Sequence, residues 1–176
     1  MRKRCLFVVM AIALLLSLPI FADQAPLVGT GFVFGFLSPY VDSTLLVGFV
    51  HDMQYYPLNL TVGVEGFMQL YWETLVEESD ENTMMQSHIS TEGYLGILRI
   101  GLRLINSQFI DFDAYGGASL YTLMFVGEQL SPVYGAGINI HTGCSSSIRV
   151  DVTAFCDWDD PEPDMLLVQA GLIFRY

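Results

Sequence analysis

The chain is 176 residues long, 52% hydrophobic and only 15% charged, too apolar for a disordered segment and unusual for a surface that faces water. Its formal net charge is −12, and past residue 22 the only cations are Arg99, Arg103, Arg149 and Arg175 against all 19 acidic residues, a balance of −15. Such a surface excludes nucleic acid as a partner, because phosphates call for clustered Lys and Arg.

Residues 1–22 read as a secretory signal peptide, with a basic start at Arg2, Lys3 and Arg4, an apolar run from Leu6 to Leu18, then Pro19 and a cut after Ala22. Cys5 precedes the apolar run, so no lipid-modified cysteine is indicated. Residues 23–176 are then one domain, and no stretch in them reaches the roughly 18 apolar residues of a spanning helix. A mature chain held in a membrane must therefore cross it with strands.

From Leu27 onward apolar and polar residues alternate with a period of two, which reads as strand. Eight segments are predicted, at 27–37, 44–53, 58–72, 88–104, 109–126, 133–142, 146–156 and 165–176. In the first, Phe32, Phe34 and Phe36 take one face while Gly29, Gly31 and Gly35 take the other, where they would leave room for Tyr115 and Tyr121. In the third, Leu60, Val62, Val64 and Met68 oppose Thr61, Gly63, Glu65 and Gln69. The seventh sets Ile148, Val150, Val152 and Ala154 against Ser147, Arg149, Asp151 and Thr153. The eighth sets Leu166, Val168, Leu172, Phe174 and Tyr176 against Gln169, Gly171 and Arg175.

Connections alternate too. Those at 54–57, 105–108 and 143–145 are tight, whereas 73–87 and 157–164 are predicted to be long acidic loops. An even number of strands with short turns at one end and longer loops at the other is the pattern of an antiparallel up-and-down transmembrane β-barrel. Aromatic residues fall into two belts, Tyr40, Trp72, Tyr134 and Trp158 at the loop rim and Tyr55, Tyr56, Phe174 and Tyr176 at the turn rim.

The signal peptide, the eight alternating segments and the closing Gly171-Leu172-Ile173-Phe174-Arg175-Tyr176 resemble the small eight-stranded outer-membrane proteins of the OmpX, OmpW and OmpA-barrel type. That resemblance implies a bacterial outer-membrane location and outer-membrane lipid as surroundings. It also implies that Phe174 and Tyr176 form the signal read by the barrel-assembly machinery. It implies no catalytic motif and no cofactor.

An eight-stranded barrel is just wide enough inside to be filled by side chains, so its polar face must satisfy itself. One register of the fourth and fifth strands sets Arg99 opposite Asp113, another sets Arg103 opposite Asp111. The next hairpin sets Asn139 beside Arg149 and His141 beside Ser147. With Glu65, Asp151 and Arg175 on the same face, the expectation is a charge-paired lumenal plug, since an arginine buried without a carboxylate is too costly.

Other chemistry is thinner. Cys144 and Cys156 would lie near opposite ends of one strand, about 40 Å apart along the chain, far beyond the roughly 7 Å that a disulfide tolerates. His88, Ser90 and Glu92 alternate as a hydrolase-like row, but same-face neighbours stand about 6.6 Å apart, too far to hydrogen-bond. The acidic loops read as solvated surface open to an extracellular partner. The sequence thus points to a surface-exposed, non-enzymatic outer-membrane barrel. Its rivals are an OmpW-like conduit for small hydrophobic molecules, a lipid-modifying enzyme using His88 and Ser90, and a soluble periplasmic carrier of lipocalin type with the two strand faces exchanged.

Overall fold

The computed structural model describes residues 27–38, 44–55, 58–79, 82–123, 127–160 and 162–176. The signal segment, Tyr40 and Tyr56 lie outside them. Eight strands follow one another: β1 Leu27–Ser38, β2 Thr44–Tyr55, β3 Leu60–Ser79, β4 Asn82–Asn106, β5 Ile110–Leu123, β6 Gly127–His141, β7 Ser146–Cys156 and β8 Pro163–Arg175. Each pairs antiparallel with its neighbour in sequence, and β8 returns to β1 from Gly29 opposite Arg175 to Ser38 opposite Leu166, so the sheet closes into a barrel. Closure removes the unpaired strand edges that an open sheet would leave.

The β2–β3, β4–β5 and β6–β7 connections gather with Leu27 and Tyr176 at one rim, here the turn end; the opposite rim is the loop end. At the first turn Asn59 adopts a left-handed backbone (φ 52°), a conformation that asparagine tolerates better than most residues, and its carbonyl accepts a hydrogen bond from the Arg103 N–H at 2.7 Å. At the second, the Ser107 hydroxyl accepts the N–H groups of Phe109 (3.3 Å) and Ile110 (2.9 Å).

The structure corrects the sequence reading in three places. Most of 73–87 is strand: β3 and β4 pair as far as Ser79 opposite Asn82, with Thr74, Leu75 and Val76 opposite Ser87, Gln86 and Met85, because β-branched residues such as Thr74 and Val76 favour extended pairing despite the acidic composition. The interval 127–132, left between the predicted fifth and sixth segments, likewise belongs to β6. The register of β4 on β5 is neither of those expected: Arg99 stands opposite Gly117 and Arg103 opposite Asp113, with a slip at Leu104 that brings Asn106 opposite Asp111. The Ser107 turn and the bulge together shift the pairing. The next hairpin does set Asn139 opposite Arg149 and His141 opposite Ser147.

The two faces of the sheet are chemically opposite. Outward side chains form an exposed apolar wall that includes Phe32, Phe34, Phe36, Phe49, Leu120, Val152 and Leu172. Inward ones fill the lumen in two unlike halves. Toward the loop end, Val33, Leu37, Leu46, Phe67, Leu95, Tyr121, Val133, Phe155, Met165 and Leu167 pack as one apolar cluster, with the Tyr121 and Phe155 rings edge to face at 5.9 Å. Toward the turn end the interior is charged.

Candidate functional site

The charged half is built by inward positions of seven strands. Period-two alternation puts Asp52 and Gln54 of β2, Glu65 of β3, Arg99 and Arg103 of β4, Asp111 and Asp113 of β5, Asn139 and His141 of β6, Arg149 and Asp151 of β7, and Gln169 and Arg175 of β8 on the lumenal face. Arg149 is 2% exposed and Asp151 0%, so these groups have exchanged water for one another.

Two linked clusters result. Deeper in the lumen, the Arg149 guanidinium pairs through Nε with Asp151 of its own strand and reaches across to Asp52 Oδ2 at 2.8 Å. Arg99 stands 2.9 Å from Glu65 Oε1 and 3.5 Å from Asp151 Oδ2, and its guanidinium stacks 4.8 Å above the Tyr115 ring as a cation–π contact. The Gln169 side-chain amide donates to both Glu65 (3.0 Å) and Asp151 (3.1 Å), holding two carboxylates side by side. The Tyr115 hydroxyl meets the Thr153 hydroxyl at 2.7 Å.

Nearer the turn end, Arg103 grips Asp113 with two parallel hydrogen bonds, Nε to Oδ1 at 2.8 Å and a terminal nitrogen to Oδ2 at 3.1 Å. This bidentate form is the strongest that an arginine and a carboxylate can make. The same guanidinium touches Asp111 Oδ2 at 2.7 Å and donates to Gln54, and Asn139 donates to Asp113 at 3.1 Å. Asp111 also receives Arg175 at 3.0 Å and lies 3.1 Å from His141 Nε2, while Arg175 meets His141 Nδ1 at 3.2 Å.

Close backbone approach makes room for these groups. A Cβ on Gly63 would fall 2.6 Å from Arg99 Nε, and one on Gly137 would overlap an Asp151 carboxylate oxygen. The Tyr115 hydroxyl end lies against Gly135, where a Cβ would fall 2.7 Å from it. The first-strand glycines give space to Asp52, Ile173 and Leu167 rather than to Tyr115 and Tyr121. Sequence reasoning missed Asp52 and Gln54, which follow Leu46 and Val50 on the lumenal alternation of β2 and were therefore legible; it also missed the apolar half of the lumen.

The remaining candidates separate. Cys144 is exposed at the turn end and Cys156 buried at the far end of β7, and neither is in a disulfide. The side chains of His88, Ser90 and Glu92 lie outside those described, but the backbone register is informative. His88 pairs with Glu73 and Ser90 with Tyr71, and a one-residue slip between Gln69 and Leu70 leaves Glu92 without a cross-strand partner. A bulge there breaks the period of two on which a continuous 88–90–92 row depends. Trp158 donates its indole N–H to the Leu130 carbonyl at 2.9 Å, and Tyr134 is exposed on the outer wall.

No family model matches the sequence, and no curated protein does. Among solved structures, a de novo designed transmembrane β-barrel superposes with a TM-score of 0.56 at 13% identity, covering 88% of this chain and 98% of the design. The fold is that of a small transmembrane β-barrel. The Ail attachment invasion locus protein of Yersinia pestis, in complex with the heparin analogue sucrose octasulfate, gives a TM-score of 0.47 at 14% identity over 87% of this chain and all of that one. Neisserial surface protein A gives 0.46 at 9% identity over 87% and 98%.

Proposed function

We propose that the chain is an integral protein of the bacterial outer membrane, exported through residues 1–22 and embedded by residues 23–176. In this reading it plays a non-enzymatic structural or interaction role, and its lumen is plugged by its own charges. The observation that carries the reading is the distribution of side chains across one wall: the outward Phe32, Phe34, Phe36, Phe49, Leu120 and Leu172 are 42–68% exposed, while the inward Arg99, Arg103 and Arg149 are 2–5% exposed. Water would drive the opposite arrangement, whereas a hydrocarbon surround favours this one. A soluble lipid carrier needs the faces exchanged, and a hydrophobic conduit needs an interior free of paired arginines.

The turn end would face the periplasm, where Phe174 and Tyr176 meet the barrel-assembly machinery. The loop end, with exposed Asp157, Asp159, Asp160 and Glu162, would stand outside the cell and present an acidic surface to extracellular partners. The test is fractionation joined to heat-modifiability. The processed protein should pellet with outer membranes, and its unboiled form should migrate differently from the boiled form on a gel. A soluble protein with no shift would overturn the reading. Unchanged lipid acylation in a Ser90→Ala strain would dispose of the enzyme alternative.

A further inference from the structure

The outer wall carries a depression that the plug does not involve. Cross-strand pairing lines up one outward rung of five residues, Phe32, Phe49, Gly66, Gly96 and Leu120, on β1 to β5. Two neighbouring glycines between large side chains leave a trough, roofed on the next rung by the directly paired Met68 and Tyr94. The Phe49 ring leans over Gly66, where a Cβ would come within 2.7 Å of it. The groove measures about 460 Å³, and its lining is almost wholly apolar, a size within the usual range for small-ligand sites.

Polar chemistry waits one rung nearer the turn end. Thr30 and His51 are directly paired there, with the Thr30 hydroxyl 2.9 Å from His51 Nδ1 and 3.2 Å from the Tyr176 hydroxyl. Strand spacing puts His51 roughly 8 Å from the trough floor. A hydroxyl, an imidazole and a phenol, joined on a wall otherwise apolar, form a cluster of hydrogen-bonding groups capable of donating to phosphate oxygens.

We propose that this face is a binding site for one zwitterionic glycerophospholipid, its phosphate held by Thr30, His51 and Tyr176 and an acyl chain laid in the Gly66/Gly96 trough. The inference rests on the membrane reading above. An apolar trough with a polar cluster at one end matches an amphiphile with one head and one tail better than it matches a uniformly apolar partner. Charge selects the zwitterionic class: all four arginines of the barrel are turned into the lumen, so the wall offers an anionic headgroup no fixed cation, and the chain's own −15 balance past residue 22 repels it.

Native mass spectrometry of the folded barrel, released from vesicles of phosphatidylethanolamine and phosphatidylglycerol, tests this. The expected result is a one-to-one phosphatidylethanolamine adduct. Gly96→Leu should abolish it, since a Cβ at Gly96 meets nothing nearer than the Leu120 carbonyl at 3.8 Å, which leaves the backbone undisturbed while the rest of the side chain fills the trough. Gly116→Leu, equally open but outside the trough, should leave the adduct intact. His51→Ala should weaken it about threefold to tenfold, the worth of one or two hydrogen bonds.

Retention by Gly96→Leu overturns the site, and equal phosphatidylglycerol binding overturns its selectivity. A dimer lost in Gly96→Leu would mean that a second copy occupies the trough instead. If Gly96→Leu fails to give the heat-dependent gel shift, the unaltered barrel decides: phosphatidylethanolamine with a photoreactive acyl chain should label Met68 and Tyr94 in excess over Leu166 and Val168 on the far wall, and uniform labelling sinks the proposal. A wild-type chain that shows no heat shift and stays soluble fails the membrane reading itself, a result distinct from all of these.

Discussion

The two halves of the lumen fill the same kind of space by opposite means. Around Phe155 and Leu167 the filling is non-directional: buried area and close packing hold it, and any set of apolar side chains of similar volume would serve nearly as well. Around Arg149 and Asp151 each contact has a direction and a required partner. Arg149 binds Asp52 from 97 residues away, and Gln169 binds Glu65 from 104 away, so the polar half ties β2 to β7 and β3 to β8 across the barrel, where no backbone ladder connects them. Its net contribution to stability is small, because desolvation offsets much of the ionic attraction. Its contribution to specificity is large, since a strand slipped by one residue would turn a buried ion out to lipid and a leucine in.

The strongest way to break this contrast is Arg149→Ala, which takes from Asp52 and Asp151 their nearest cation in a dry interior and should cost about 3–5 kcal/mol in reversible urea unfolding from lipid vesicles. Phe155→Ala in the apolar half should cost about 3 kcal/mol through the cavity that it leaves. Ile97→Val, at the boundary of the two halves, should cost about 1 kcal/mol. Replacing both members of the pair, Arg149→Met with Asp151→Leu, removes one of the two carboxylates that Arg149 serves but leaves Asp52 without it, and should recover only part of that loss, about half. A double variant as damaged as the single one would mean that the ion pair is a net source of stability and that the contrast is misdrawn. Smallest of all, Cys144→Ser at the exposed turn should shift stability by less than about 0.5 kcal/mol; in the folded parent a maleimide should label Cys144 and spare Cys156.

Much of this was legible because a period of two is a strong constraint. In β1 and β8, and in β7 as far as Thr153, the sequence alternation and the observed burial agree residue by residue, whereas Ala154, expected on the outward face, is buried. What escaped did so for identifiable reasons. The β3–β4 ribbon beyond Tyr71 is acidic, and acidity suggests loop unless Thr74, Val76 and Thr83 are weighed for strand propensity. The register of β4 on β5 depends on the Leu104 bulge and the Ser107 turn, and neither leaves a mark in the alternation. The apolar half of the lumen was hidden because Leu45, Leu46 and Val47, or Leu166, Leu167 and Val168, are apolar on both faces. Where both faces are apolar, period two no longer says which is inside.

The seam between β1 and β8 has a kinetic consequence. Seven of the eight strand pairs join neighbours in the chain and can form as local hairpins, but Gly29 opposite Arg175 and Thr30 opposite Phe174 unite segments about 145 positions apart. Loop-closure entropy opposes that contact until the intervening hairpins have shortened the effective distance. The barrel therefore behaves like a ribbon that stays open until its final strand arrives. Folding should be slow and all-or-none at the last step, and a fragment ending before Pro163 would leave β1 and β7 as bare edges inviting pairing with other chains.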